Sequence, residues 1–173
     1  MATGAALAAL ILTFGDISGA QFNPCVTLAD AAKGGVSWRD VPSYIAAQVV
    51  GAVVGVANVM FGESIFAASQ HGRHGGGQLL SEVVATFGLL AVIFACARHR
   101  AQAIPYAVGA YIAAAYWFTA STSFANPAVT IARSMTDTFA GIRPADVPGF
   151  IVAQLVGAAL ATWFVGWLAS ERA

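Results

Sequence analysis

Apolar residues in this chain come in long unbroken runs, not at the three- and four-residue spacing of a helix buried on one side. A hydrocarbon core about 30 Å thick needs roughly 20 such residues per crossing. Residues 41–62, 78–97, 104–122 and 147–169 approach or exceed that length and predict membrane-spanning helices. Residues 1–15 form a shorter run that passes directly into a polar motif. With no basic residue before Lys33, it reads as part of a fifth span rather than a secretory leader.

Two further apolar pieces are too short to cross. Residues 24–32 and 127–136 each follow an asparagine and begin with proline. At about 1.5 Å per residue each covers roughly half of the hydrocarbon. Asparagine is a strong N-cap and proline suits the first helical position, so each Asn-Pro pair starts a helix. A short helix at membrane depth is tolerated only where protein or a water-filled cavity covers its ends, which predicts two re-entrant half-helices.

The two pieces are copies of one another. Residues 23–29 read NPCVTLA and residues 126–132 read NPAVTIA. The block DVPSYIAAQVVGA at 40–52 recurs as DVPGFIVAQLVGA at 146–158, with nine identities in thirteen positions. An internal duplication accounts for both. Three spans, an odd number, separate the asparagines, so the copies enter from opposite faces as an inverted repeat. The expected organisation is a first repeat over residues 1–62, a loop over 63–77 and a second repeat over 78–173. The second repeat has two spans ahead of its half-helix and the first has one short run, so the arrangement reads as lacking its first span. Lys33, Arg39, Arg98, Arg100 and Arg172 fall on one face and Arg73, Arg133 and Arg143 on the other, which predicts a cytoplasmic location for the larger set.

Composition narrows the function. Of 173 residues 58% are hydrophobic and 9% charged, with eight Lys+Arg and eight Asp+Glu. Soluble domains carry about 25% charged residues. So few charges exclude a solvated globular surface and a basic face for nucleic acid. They also leave no constellation for an enzyme, a metal or a cofactor. Cys25 and Cys96 lie in apolar stretches without metal-ligand spacing.

Opposed half-helices bring two electropositive N-termini together near the bilayer centre. That point repels a cation or hydronium and not a neutral hydroxylated solute. The side-chain amides of Asn23 and Asn126 are candidate donors to a passing oxygen. The pattern points to passage of uncharged molecules, not to a reaction. A secondary transporter is the rival, since it too uses inverted repeats and broken helices; Glu82 is its one available buried acid. A non-conducting hydrophobic bundle is the other.

The segment GDISGAQFNPCVTLA at 15–29, with NPAVTIA at 126–132, resembles the aquaporin (major intrinsic protein) family, whose signature is two Asn-Pro-Ala boxes on inverted half-helices. The resemblance extends from residue 1 to about residue 168. It implies an all-α integral membrane protein, here with five spans and two half-helices, and a homotetramer with one pore per subunit. The implied boxes are Asn23, Pro24, Cys25 and Asn126, Pro127, Ala128, with Cys25 where the family usually has alanine. The implied selectivity filter is Thr3, Ala114, Ser123 and Val129. Water-selective members usually place His and Arg in two of those positions. Ala114 and Val129 widen the passage and remove a positive charge. This is similar to channels of bacterial arsenic-resistance operons and implies small polyols or a metalloid acid such as arsenous acid, in a bacterial inner membrane. Arg133, two turns beyond Asn126, is expected at the outer vestibule. Glu82 is expected to accept hydrogen bonds from the backbone entering a half-helix, with Gln48 and Gln154 bracing similarly.

Overall fold

The computed structural model describes residues 1–57 and 65–170. Among these are seven α-helices and no β-strand: α1 (Ala2–Ser18), α2 (Pro24–Ala32), α3 (Val41–Gly55), α4 (Gly76–His99), α5 (Ile104–Phe118), α6 (Pro127–Arg133) and α7 (Val147–Ser170). Short 3-10 turns, Ala101–Ala103 and Pro144–Asp146, lead into α5 and α7. All six prolines sit first or second in one of these helices or turns, where a missing N–H costs nothing.

Several ends differ from the sequence expectation. α3 ends at Gly55; residues 58–62 of the expected span lie outside the described residues. α5 stops at Phe118 rather than at 122 because Thr119 turns extended, and Thr122, Ser123 and Ala125 adopt positive φ to deliver the chain to Asn126. α6 stops at Arg133 rather than at 136. The carbonyls of Ser134 and Met135 accept from the amides of Ser69 and Ala67 instead of from a further helical turn.

α4 runs along α7 and α5, and α1 crosses α5 between the two repeats. Both half-helices, α2 and α6, pack against α3 and α7, so each is gripped by one long helix from its own repeat and one from the other. Small side chains fill the junctions: Cys25, Ala29, Ala158 and Ala161 around Leu90, and Ala85 and Ala125 against Leu89, Val108 and Ile112. The outside is apolar, with Val54, Val152, Trp163 and Trp117 each at least 60% exposed. Such a face is stable against hydrocarbon, not water. The basic residues separate toward the two ends. Arg143 donates its amide to the His71 carbonyl, and the Arg133 carbonyl accepts from the Ile142 amide. Lys33 lies over the Phe94 ring, well along α4 toward its C-terminal end. Arg172 is outside the described residues.

The α1–α5 crossing is backbone on backbone. A Cβ on Gly4 would fall on the Gly109 carbonyl oxygen, and one on Gly109 would fall on the Gly4 carbonyl. Gly15, in the same helix α1, faces open space. Gly4→Leu is therefore expected to cost about 1–3 kcal/mol through overpacking, whereas Gly15→Ala gains roughly 0.5–1 kcal/mol of helix propensity. Thermal unfolding of both variants in detergent, followed by far-UV circular dichroism, checks the opposite signs.

Candidate functional site: a cavity between two half-helices

Each Asn-Pro pair forms the cap its sequence dictates. Asn23 Oδ1 accepts from the Cys25 amide at 2.9 Å, and Asn126 Oδ1 accepts from the amides of Ala128 at 3.0 Å and Val129 at 3.3 Å. The other end of each amide reaches across. Asn23 Nδ2 donates to the Ala125 carbonyl at 2.6 Å, and Asn126 Nδ2 donates to the Phe22 carbonyl at 2.8 Å. Each carbonyl belongs to the residue just before the opposite asparagine, so the two bonds are related by the pseudo-twofold. An amide nitrogen carries two protons, so each Nδ2 keeps one N–H beyond this bond.

Both asparagines line a cavity of about 440 Å³. α2 presents Asn23, Val26 and Asp30 to it, and α6 presents Asn126, Val129 and Arg133. These are the same three places in both copies, spaced to share one helix face. The long helices supply an aliphatic wall, with Leu7 and Ile11 from α1, Leu89 and Ile93 from α4, and Val108 and Ile112 from α5. Thr3 and Ser123 also line it. Ala114 does not. It is exposed on the outside of α5, while Ile112 and Tyr116 face the cavity. The family resemblance assigns Ala114 to the filter, but it lies two residues from both Ile112 and Tyr116, and two residues along a helix turn a side chain by about 200°, away from the face they share. Cys25 and Ala128 are buried behind their half-helices, at 0% and 1% exposure, and are not among the lining residues.

The half-helices are held by matched polar contacts. Gln154 Nε2 bonds Thr130 Oγ1, and Gln48 Nε2 bonds Thr27 Oγ1, both at 2.8 Å; each threonine lies four residues past its asparagine. Gln48 also donates to the Gln21 carbonyl. In the second repeat Glu82 completes the set. Its carboxylate accepts from the Ser121 hydroxyl, the amides of Phe124 and Ala125, and Gln154 Nε2, all within 2.9 Å. That satisfies a fully buried acid in place.

Arg73 was legible in sequence only as a charge in a glycine-rich loop. It is 3% exposed, and its guanidinium donates to the carbonyls of Gly141, Ser121 and Phe139. Its amide donates to Asp146, which also accepts from Arg143. The loop is thereby stapled across the C-terminal end of α6. The sequence signal was a single arginine in a glycine-rich loop. Tyr116 and Phe124 were likewise unmarked in sequence. The Tyr116 hydroxyl accepts from Arg133, and the Phe124 ring lies under Arg133 at 4.4 Å and Arg73 at 5.0 Å.

Burial alone would raise the Asp146 carboxyl, but the hydrogen bonds from Arg143 and the Arg73 amide outweigh it and hold the group below the usual carboxylate range. A group with a lowered folded pKa stabilises the fold above its unfolded pKa, and that stability is lost as pH falls through the folded value. Asp146→Asn is expected to lower the melting temperature at pH 7 by roughly 2–4 °C, the shift that about 1 kcal/mol produces in a chain of this size. The gap between variant and parent should close as the pH is taken below the carboxylate range, in melts recorded across that series.

Residues 1–115 match the family model described as Major intrinsic protein. Aquaglyceroporin AqpS of Rhizobium meliloti is 52% identical over 170 residues, which are 97% of this chain and 73% of that protein. Probable aquaporin AqpM of Archaeoglobus fulgidus is 34% identical over 188 residues, 99% of this chain and 76% of the relative. Aquaporin NIP1-1 of Zea mays is 32% identical over 167 residues, and there the chain spans 58% of the relative's length. A family match over most of the sequence, around an asparagine-lined cavity between two inverted half-helices, makes this chain a member of the major intrinsic protein family of membrane channels.

Proposed function

We propose that the chain conducts small uncharged solutes, glycerol and other small polyols or metalloid acids such as arsenous acid, through the cavity between α2 and α6. The observation that carries this reading is the pair of asparagines that cross-brace one another and still line the cavity. Each keeps a free N–H for a passing oxygen, in a setting where two helix N-termini disfavour cations. Val129 supports solutes larger than water, because it puts a short apolar side chain on the α6 face of the cavity. Tyr116 and Ile112 take the place expected of Ala114. The name aquaglyceroporin borne by one relative agrees with this solute class. The proposed setting is a bacterial inner membrane, with one passage per subunit of a homotetramer.

Proton-coupled transport is the weaker reading. Glu82, the buried acid it would need, is committed to four hydrogen bonds.

Stopped-flow light scattering on proteoliposomes tests the proposal. Glycerol flux above that of empty vesicles, with a low activation energy, is expected. Absence of flux from correctly inserted protein overturns it. Val129→Arg places a long cation on the cavity-facing side of α6. A barrier about 1.4 kcal/mol higher for glycerol than for water corresponds to about a tenfold lower relative flux. Glycerol and water permeabilities of this variant, measured in the same vesicles, check the effect.

A further inference from the structure

A setting that turns away a cation would by itself draw in an anion, and most of the charge around the cavity has that sign. Two half-helix N-termini meet there, each carrying about half a positive charge. Arg133 adds a full one on the α6 side. Glu82 offers no counterweight inside, because it is fully buried, lies outside the lining and accepts four hydrogen bonds. Among the described lining residues the one carboxylate is Asp30. It is built into place. Oδ2 accepts from Gln21 Nε2 at 2.7 Å, ahead of α2, and from the Val36 amide at 3.0 Å, beyond it. The turn after α2 wraps the carboxylate so closely that a Cβ on Gly35 would overlap both of its oxygens. Oδ1 takes no bond from the described residues and is not shut away from the cavity. No ion pair among the described residues neutralises the group. Lys33, three residues on, lies over the Phe94 ring instead.

We infer that Asp30 is the residue that keeps anions out of this channel: the neutral form of a hydroxylated weak acid is admitted, as a polyol is, and the conjugate base is refused. The inference rests on the channel reading and extends it from solute size to solute charge. Like charges repel more strongly beside a protein wall than in bulk water, because the effective dielectric is lower. Oδ2 fixes the group and Oδ1 faces what passes. Gln21 is a positioning residue that acts through Asp30. An uncharged solute meets no such repulsion and can donate a hydroxyl proton to Oδ1.

The test uses the full chain in proteoliposomes at pH 7, with glycerol and chloride as probes. Chloride entry is read as quenching of an entrapped halide-sensitive dye, with potassium and valinomycin balancing charge. The parent is expected to pass glycerol while chloride enters no faster than into empty vesicles. In Asp30→Asn the Gln21 and Val36 donors hold the amide oxygen on their side, so the new NH2 group turns to the cavity. This variant is expected to raise the chloride-to-glycerol permeability ratio at least about tenfold, within what removal of a nearby like charge yields. Asp30→Glu keeps the charge and should keep chloride out. Asp40→Asn removes an equal charge from an exposed residue off the cavity and should leave the ratio at the parent value. Chloride entry through the parent overturns the assignment. So does a gain in Asp40→Asn or Asp30→Glu that equals the gain in Asp30→Asn. No gain in Asp30→Asn while glycerol still passes overturns it and leaves the channel reading standing. Parent protein with no glycerol flux above empty vesicles removes the channel reading, and this assignment with it. Should Asp30→Asn fail to insert, Asp30→Ser, also neutral, decides in its place.

Discussion

A half-helix that begins within a membrane bundle leaves its first amides without a helical partner, and here two asparagines settle that problem together with the opposite repeat. One end of each side-chain amide caps its own helix; the other end bonds the carbonyl that precedes its counterpart. Neither asparagine is braced without the other repeat. The arrangement fixes the two N-termini end to end, and with them the direction in which every later residue of α2 and α6 faces the cavity. Loss of either asparagine would orphan a carbonyl in the opposite repeat as well as amides in its own, so the centre stands or falls as a unit.

The backbone that leads into this centre is strained, and the strain explains the buried polar residues around it. Ala20, Thr122, Ser123 and Ala125 are the described non-glycine residues with positive φ, and all lie within four residues of an asparagine. Left-handed backbone disfavours residues other than glycine, and it persists only where surrounding contacts over-determine it. In the second repeat those contacts come from Glu82, whose carboxylate collects the amides of Phe124 and Ala125. In the first, Gln48 holds the Gln21 carbonyl, and Asp30 accepts from the Gln21 side chain and the Val36 amide. The duplicated threonine–glutamine pairs are common to both repeats, and in the second the Glu82 carboxylate of α4 is bonded to the glutamine as well.

How much of this the sequence disclosed follows from how local each feature is. The Asn-Pro pairs, the start and end of α2 and the glutamines of the repeated block are short-range patterns, and the fold class follows from them with the apolar runs. The places that misled are those where distant chain segments meet. Ala114, which the resemblance implies for the filter, is separated from Asn126 by the linker that follows α5. That linker takes up several residues in left-handed turns, so an offset in sequence does not carry helical phase with it. The early end of α6 depends on the amides of Ala67 and Ser69, far away in the chain. Arg73, Tyr116 and Phe124 matter through contacts across 17 or more residues, or through ring faces, and no spacing rule marks them. Arg133, set by a short count along α6 itself, is among the cavity-lining residues.

The cavity's polarity comes mainly from the half-helices and the segments before them, with Thr3 and Tyr116 the polar side chains that the long helices add to an aliphatic wall. On the channel reading, a solute that sheds its water there regains hydrogen bonds along one stripe only. An ion, which needs ligands on all sides, is left short. The charges at the stripe's two ends sharpen this. The duplicated position seven residues past each asparagine became Asp30 in one copy and Arg133 in the other, and both line the cavity. The pair adds no net charge, yet on the channel reading a cation passes a guanidinium and an anion a carboxylate. Like charges about 4 Å apart repel by roughly 4 kcal/mol at the effective dielectric of a protein surface. On the channel reading, each sign of ion therefore meets a barrier at one end, whichever end it enters, while a neutral hydroxylated molecule finds a donor near one mouth and an acceptor near the other.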